Sequence, residues 1–218
     1  MSHTKTITLP KLGDVPIVIK TKRDISDETP LDKRDDESLG WGYWDRIWPS
    51  EVALSEYLIH RFLPLELKGK KVLEIGCGVG LAGVVAAQLG ARTTFSDMVP
   101  VTLEGVKETC QLNHVTNFDT CTLDWFAPGN LKNTYDMVIG SEVFFDDKNM
   151  PAIANLLQQA LNSGGQGIFC DPNRLGLSSI EFHFKENFSF SLKEVPLNFA
   201  LRKATGGTKK NGYIYTLT

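Results

Sequence analysis

The sequence of 218 residues predicts an α/β protein: a doubly wound, mostly parallel seven-stranded sheet with an antiparallel edge, preceded by an N-terminal β-hairpin. Two observations carry the sheet. Short apolar segments alternate with helical patterns over more than 100 residues, which is how a parallel sheet wound by helices is written. The last two β-segments have no helix between them, so they must run antiparallel at an edge. The hairpin rests on a third: residues 4–20 alternate apolar and polar about a turn at Lys11–Asp14.

The elements follow in order. Residues 21–38 are almost all polar or charged and cannot build a core, so they read as a solvated linker or a lid. Residues 39–48 hold Trp41, Tyr43, Trp44 and Trp48. Pro49 and Ser50 open a helical pattern, with Ser50 the expected N-cap and Glu51 in the first turn. Strands are expected at 70–76, 91–97, 118–124, 135–143 and 166–172. Helices are expected at 79–90, 100–114, 148–162 and 178–187, with Asp146 and Asp147 capping the third of these. The segments FSLKEVPL and GYIYTLT close the chain around the loop 204–212. The sequence divides into a hairpin and charged linker (1–44) and one wound domain (45–218).

Composition narrows the function. A net charge of −3 is not that of a strongly basic nucleic-acid binder. No apolar run approaches the roughly 18–20 residues of a membrane span, and the N-terminus lacks a signal-peptide core, so a cytoplasmic protein with no membrane partner is expected. Cys77, Cys110, Cys121 and Cys170 form no CxxC pair and read as reduced thiols. The four histidines have no helical metal-ligand spacing, and no metal is assigned.

The chemistry is concentrated where strands end. Glu74-Ile-Gly76-Cys77-Gly78-Val-Gly80 lies where a strand feeds a helix. Glycines there allow a tight turn with unusual φ and let a ligand approach the backbone. The same stretch contains the dinucleotide-type pattern Gly78-Val-Gly80-Leu-Ala-Gly83, so the pattern alone does not decide between ligands. Context does. Glu74 stands two residues before the first glycine, which suits a turn facing an ammonium rather than a pyrophosphate. Asp97 ends the next strand, where a ribose diol would lie, and Asp124-Trp125 ends the third, where an acceptor and an indole could clasp an adenine. Acids at three consecutive strand ends point to a nucleoside-type ligand.

VLEIGCGVGLAG followed by FSD resembles motif I and the acidic loop of the class I, seven-strand S-adenosylmethionine-dependent methyltransferases, a Rossmann-like family. The resemblance covers roughly residues 40–218. Trp48-Pro49-Ser50, Asp124-Trp125 and Gly140-Ser141-Glu142-Val-Phe-Phe145 are similar to the nicotinamide N-methyltransferase-like group, which includes many protein lysine methyltransferases. Asp171-Pro172-Asn-Arg174 resembles its electron-transfer-flavoprotein β-subunit lysine methyltransferase branch, and Glu142-Val-Phe-Phe145 fits that branch's D/E-x-x-Y/F motif. Two positions depart: Glu51 stands where glycine is frequent, and Phe145 where tyrosine is also common.

The resemblance implies S-adenosyl-L-methionine as methyl donor and a protein lysine as acceptor. It places Gly76, Cys77, Gly78 and Gly80 against the methionine part, with Glu74 supporting the turn, Asp97 on the ribose, and Asp124 and Trp125 on the adenine. Trp48 and Ser141 match donor-contacting positions, Glu142 would bind and orient the lysine ammonium, and Phe145 would line its alkyl channel. A monomer is expected. A small-molecule N- or O-methyltransferase with the same donor site stays open, because acceptor pockets sit on variable loops. A nucleic-acid amino-methyltransferase fits less well, since Ser-Glu-Val-Phe stands where an Asn/Asp-Pro-Pro-aromatic turn is typical.

Overall fold

The structure is a computed structural model that describes residues 2–21, 43–197 and 209–218. The expectations for 22–38 and 204–208 lie outside the described residues. The hairpin forms, with β1 (His3–Leu9) paired antiparallel to β2 (Gly13–Ile19), but its turn is at residues 10–12 rather than Lys11–Asp14, because Gly13 and Asp14 already pair with Leu9 and Thr8. It is tied to the rest of the molecule by Val18 N–H donating to Thr109 Oγ1 at 2.9 Å and Asn113 Nδ2 donating to the Pro16 carbonyl at 2.7 Å. Leu9, Val15, Ile17 and Ile19 belong to the main hydrophobic core.

The remaining elements are α1 (Pro49–Arg61), β3 (Lys71–Ile75), α2 (Leu81–Gln88), β4 (Arg92–Asp97), α3 (Pro100–Leu112), β5 (Phe118–Thr122), β6 (Tyr135–Ser141), α4 (Asn149–Ala160), β7 (Leu161–Asp171), α5 (Leu177–Phe184), β8 (Phe190–Pro196) and β9 (Asn211–Leu217). The sheet order is β5-β4-β3-β6-β7-β9-β8. The first five strands of that order pair in parallel, and β9 pairs antiparallel with both β7 and β8. The chain winds outward from β3 through β4 to β5, then returns to the other side of β3 at β6. The strand ends of β3 and β6 therefore flank the topological switch, where open α/β sheets bind ligands.

Three more local readings are corrected. Ser50 is not the N-cap of α1: Trp48 is, in extended conformation, with Pro49 at the first helical position, where its missing N–H costs nothing. Ser50 is instead fully buried inside the first turn. Lys148, not an aspartate, occupies the N-cap of α4, and Asp146 Oδ1 accepts the Lys148 N–H at 3.0 Å from two residues earlier. Strand β7 begins at Leu161 rather than 166, because Tyr135 pairs with Leu161 before the register shifts across Gly164 and Gly165.

Candidate active site

The glycine turn is a bare strip of backbone. Gly76, Gly78 and Gly80 all have positive φ, +58°, +50° and +78°. A Cβ on Gly76 would lie 2.9 Å from the Trp125 ring and 3.2 Å from Val143, so residues after β5 and after β6 both close on this one position. Cys77 is buried, its N–H donates to the Ser96 carbonyl at 2.9 Å, and its carbonyl accepts the Gly80 N–H at 2.7 Å, which closes the turn.

Asp97, the last residue of β4, reaches back to the turn. Its Oδ2 accepts the Gly78 N–H at 3.0 Å and its Oδ1 accepts the Val99 N–H at 2.9 Å. Each carboxylate oxygen has two acceptor sites, so capacity remains for the two hydroxyls of a diol. Burial raises its pKa and those backbone N–H groups oppose the rise. Trp125 is half-buried, with its ring centroid 6.2 Å from that of Phe145. Asp124 is exposed and folds its own loop, Oδ1 accepting the Phe126 N–H at 2.9 Å. A bare backbone turn, a diol-matched carboxylate and an indole over the turn fit a nucleoside-bearing methionine derivative.

Glu74 lies beneath the turn. It is 1% exposed, and its Oε2 accepts the Gly83 N–H at 3.1 Å, so it props the first turn of α2 from the core side. Glu51 does the same from α1: it is 3% exposed and its Oε1 accepts the Leu81 N–H at 2.7 Å. Two buried carboxyl groups thus satisfy orphan donors at one helix start. Burial pushes the Glu51 carboxyl up to about 8, with the Glu142 charge adding to it, and raises Glu74 well above the usual range, with Glu51 the next cause.

On the other side of the switch, Ser141 ends β6 half-buried and Glu142 follows it at φ +58°, a left-handed conformation that costs a side-chain-bearing residue about 1 kcal/mol or more. Its N–H donates to the Cys170 carbonyl at 2.9 Å and its carboxylate forms an ion pair with Arg174. Phe144 is fully buried, whereas Phe145 is 53% exposed at the rim. Trp48 is half-buried. Its Nε1 donates to the Tyr43 carbonyl at 2.7 Å, and the Arg174 guanidinium carbon lies 5.6 Å from the centre of its ring. Asp171, the last residue of β7, is fully buried. Burial and then the Glu142 charge raise its carboxyl to about 7.

The structure thus brings Gly76, Trp125, Val143 and Phe145 together at the strand ends, with Asp97 bonded to the same turn and Trp48 joined to Glu142 through Arg174. Glu51, Asp171 and Arg174 had no assigned role from sequence. The signal for Asp171 was present, since it extends the pattern of acids at strand ends by one more strand. Glu51 is recognisable only through a partner distant in sequence, and Arg174, although part of the Asp171-Pro172-Asn-Arg174 motif, takes its place in the site from Glu142 and Trp48.

A family model described as lysine methyltransferase matches residues 25–188. The chain is 36% identical over 137 residues to the histone-arginine methyltransferase METTL23 of Rattus norvegicus, covering 59% of this chain and 58% of that protein. It is 30% identical over 134 residues to the electron transfer flavoprotein beta subunit lysine methyltransferase of Danio rerio, covering 61% of this chain and 50% of that one. The chain thus spans little more than half the length of these curated relatives. Among solved structures, magnesium protoporphyrin IX methyltransferase from Synechocystis, with bound SAM, superposes with a TM-score of 0.59 at 19% identity, covering 77% of each chain.

Proposed function

Because the chain belongs to the lysine methyltransferase family, we propose that it N-methylates a lysine side chain of a protein substrate. S-adenosyl-L-methionine is the methyl donor. The observation that carries the reading is the position of Glu142. A carboxylate only 7% exposed is held in a strained backbone conformation, one residue from the Val143 side chain that abuts Gly76. In this reading a charge for the amine and a cradle for the donor would face each other across the switch between β3 and β6.

The donor supplies an electrophilic sulfonium methyl, and methyl transfer to it is an in-line displacement that needs alignment more than covalent help. The turn Gly76–Gly80 would orient the methionine part, Asp97 would accept the ribose hydroxyls, and Trp125 would pack on the adenine. Glu142 would draw in the lysine ammonium and hold its nitrogen on the line of attack. A lysine amine with a free pKa near 10.4 is scarce in neutral form at pH 7, so the ammonium must lose a proton before it attacks. Phe145, exposed at the rim beside Trp125, would line the alkyl part of the side chain.

In this reading residues 45–218 carry both subsites, and residues 1–44 the hairpin and charged linker. The protein acts as a cytoplasmic monomer without nucleic acid or membrane. Four cysteines outside any disulfide support that compartment. Among the described residues no helix is long and apolar enough to cross a membrane.

Arginine is a second reading, favoured by the 36% identity to a histone-arginine methyltransferase and by the guanidinium that already pairs with Glu142. The experiment is transfer from labelled donor into a cell lysate, followed by gel separation and mapping of the methylated residue. A protein band methylated on lysine is expected. Label on arginine selects the second reading, and label confined to small molecules overturns protein methylation.

A further inference from the structure

Arg174 stands in the place where the proposed mechanism needs a substrate cation. Its backbone is fixed: Asp171 Oδ1 accepts the N–H groups of Asn173 at 2.7 Å and Arg174 at 3.1 Å, and Asn173 is itself left-handed at φ +62°. From that loop the guanidinium meets three groups. It pairs with the Glu142 carboxylate, its Nη1 lies 4.0 Å from Asp171 Oδ2, and it lies over the Trp48 indole. The Glu142 and Asp171 side chains are 7% and 1% exposed, that of Arg174 35%. Asp171 Oδ2 is buried with no hydrogen-bond partner.

Two buried carboxylates and an indole face form a receptor for a cation. The backbones of the two acids are held by the sheet, Glu142 directly after β6 and Asp171 at the end of β7. The cation can leave, because it is carried on a long side chain at the solvent side. We propose that Arg174 is an internal occupant of the acceptor-cation site, and that its guanidinium swings out when a substrate ammonium or guanidinium takes its place on Glu142 and Asp171.

The physical reason is the cost of a bare buried charge. Removing one partner of a buried ion pair leaves an uncompensated charge and is strongly unfavourable. An exchange of one cation for another avoids this state, so the carboxylates are covered before, during and after acceptor entry. The cost falls on affinity: every acceptor must displace a tethered competitor. Removing the competitor should therefore tighten cation binding. A guanidinium that merely braces Glu142 would do the opposite, because its loss would leave Glu142 free to move away.

The inference rests on the assignment of Glu142 to the acceptor, and the test keeps the two apart. The probes are n-butylammonium and n-propylguanidinium, the head groups of lysine and arginine. Each is titrated into protein saturated with S-adenosylhomocysteine, with tryptophan fluorescence and ligand-observed NMR as readouts. Arg174→Ala and Arg174→Met should bind at least one probe five-fold or more tighter than wild type, and Glu142→Gln in the Arg174→Ala background should abolish the gain. Unchanged or weaker binding in either variant, with wild-type affinity for S-adenosylhomocysteine and a wild-type melting curve, overturns the proposal. So does collapse of both variants' melting curves, which would make Arg174 a structural strut. Failure of wild type to bind S-adenosylhomocysteine would instead refute the donor site.

Discussion

Glu51→Gln should stabilise the protein at alkaline pH while leaving it nearly unchanged at acid pH. Glu51 is buried between α1 and α2, close enough to Glu142 to feel its charge. Its carboxyl titrates at about 8 in the folded protein against 4.5 when free. The folded state therefore holds a proton that the unfolded state gives up. The stability this contributes is fully present below pH 4.5 and is lost as pH rises through about 8. A window that wide corresponds at its ceiling to about 5 kcal/mol. Glutamine keeps the shape and the carbonyl that accepts the Leu81 N–H, but it has no charge to bury. In thermal melts without donor, wild type and variant should agree within about 1 kcal/mol near pH 5. Near pH 8.5 the variant should be more stable by about 2 kcal/mol or more, a rise of about 4–8 °C in melting temperature. Parallel melting curves across the whole range, or a variant less stable than wild type at alkaline pH, would show that Glu51 is not held protonated by burial.

Asp97→Ala should weaken S-adenosylhomocysteine binding at least ten-fold, since under the proposed donor site it would remove two charge-assisted hydrogen bonds to the ribose diol at about 1.5–3 kcal/mol each before relaxation. It also frees the N–H groups of Gly78 and Val99, so calorimetry must be read beside a melting curve. Glu142→Gln should leave donor affinity within a few fold but slow single-turnover transfer on the order of 100-fold, about 2.7 kcal/mol at the transition state. Normal transfer by a normally folded variant would remove Glu142 from the mechanism. Gly83→Ala should cost about 1–3 kcal/mol of stability in denaturant titration, because the new Cβ would lie 2.3 Å from Phe95 and 2.4 Å from Glu74 Oε2. An unchanged midpoint would mean that α2 can move off the sheet.

The sheet was legible because its parallel strands are short apolar runs punctuated by glycines and acids, and every strand but β7 starts within two residues of its expected position. Strand β7 was misjudged because Gly164-Gly165 reads as a break, while the Tyr135–Leu161 pairing carries the strand through it. The helix start at Trp48 was missed because Ser50 has the right chemistry for a cap, but Pro49 takes the first helical position before it. In the site, the glycine turn depends on local backbone demands and Asp97 stands at a strand end, and both leave a signature in sequence, although Asp97 also accepts the Gly78 N–H from 19 positions away. Glu51 depends on a donor 30 positions away, and Glu142 on a cation 32 positions away. A glutamate in the first turn of a helix has no mark that distinguishes a solvated residue from one buried under a neighbouring helix. Arg174 is equally silent, because its meaning comes from Glu142 and Trp48, which reach it from two other elements.

The most direct test that the strand ends of β3, β4 and β6 bind a methyl donor is isothermal titration of the wild-type protein with S-adenosylhomocysteine and, in parallel, with NAD. Both ligands carry an adenosine, and both are compatible with a glycine-rich turn followed by an acid. Only one places an ammonium rather than a pyrophosphate at Gly76–Gly80. Saturable one-to-one binding of S-adenosylhomocysteine with no measurable NAD binding is the predicted result. Tighter binding of NAD, or no binding of S-adenosylhomocysteine by folded protein, would contradict the account.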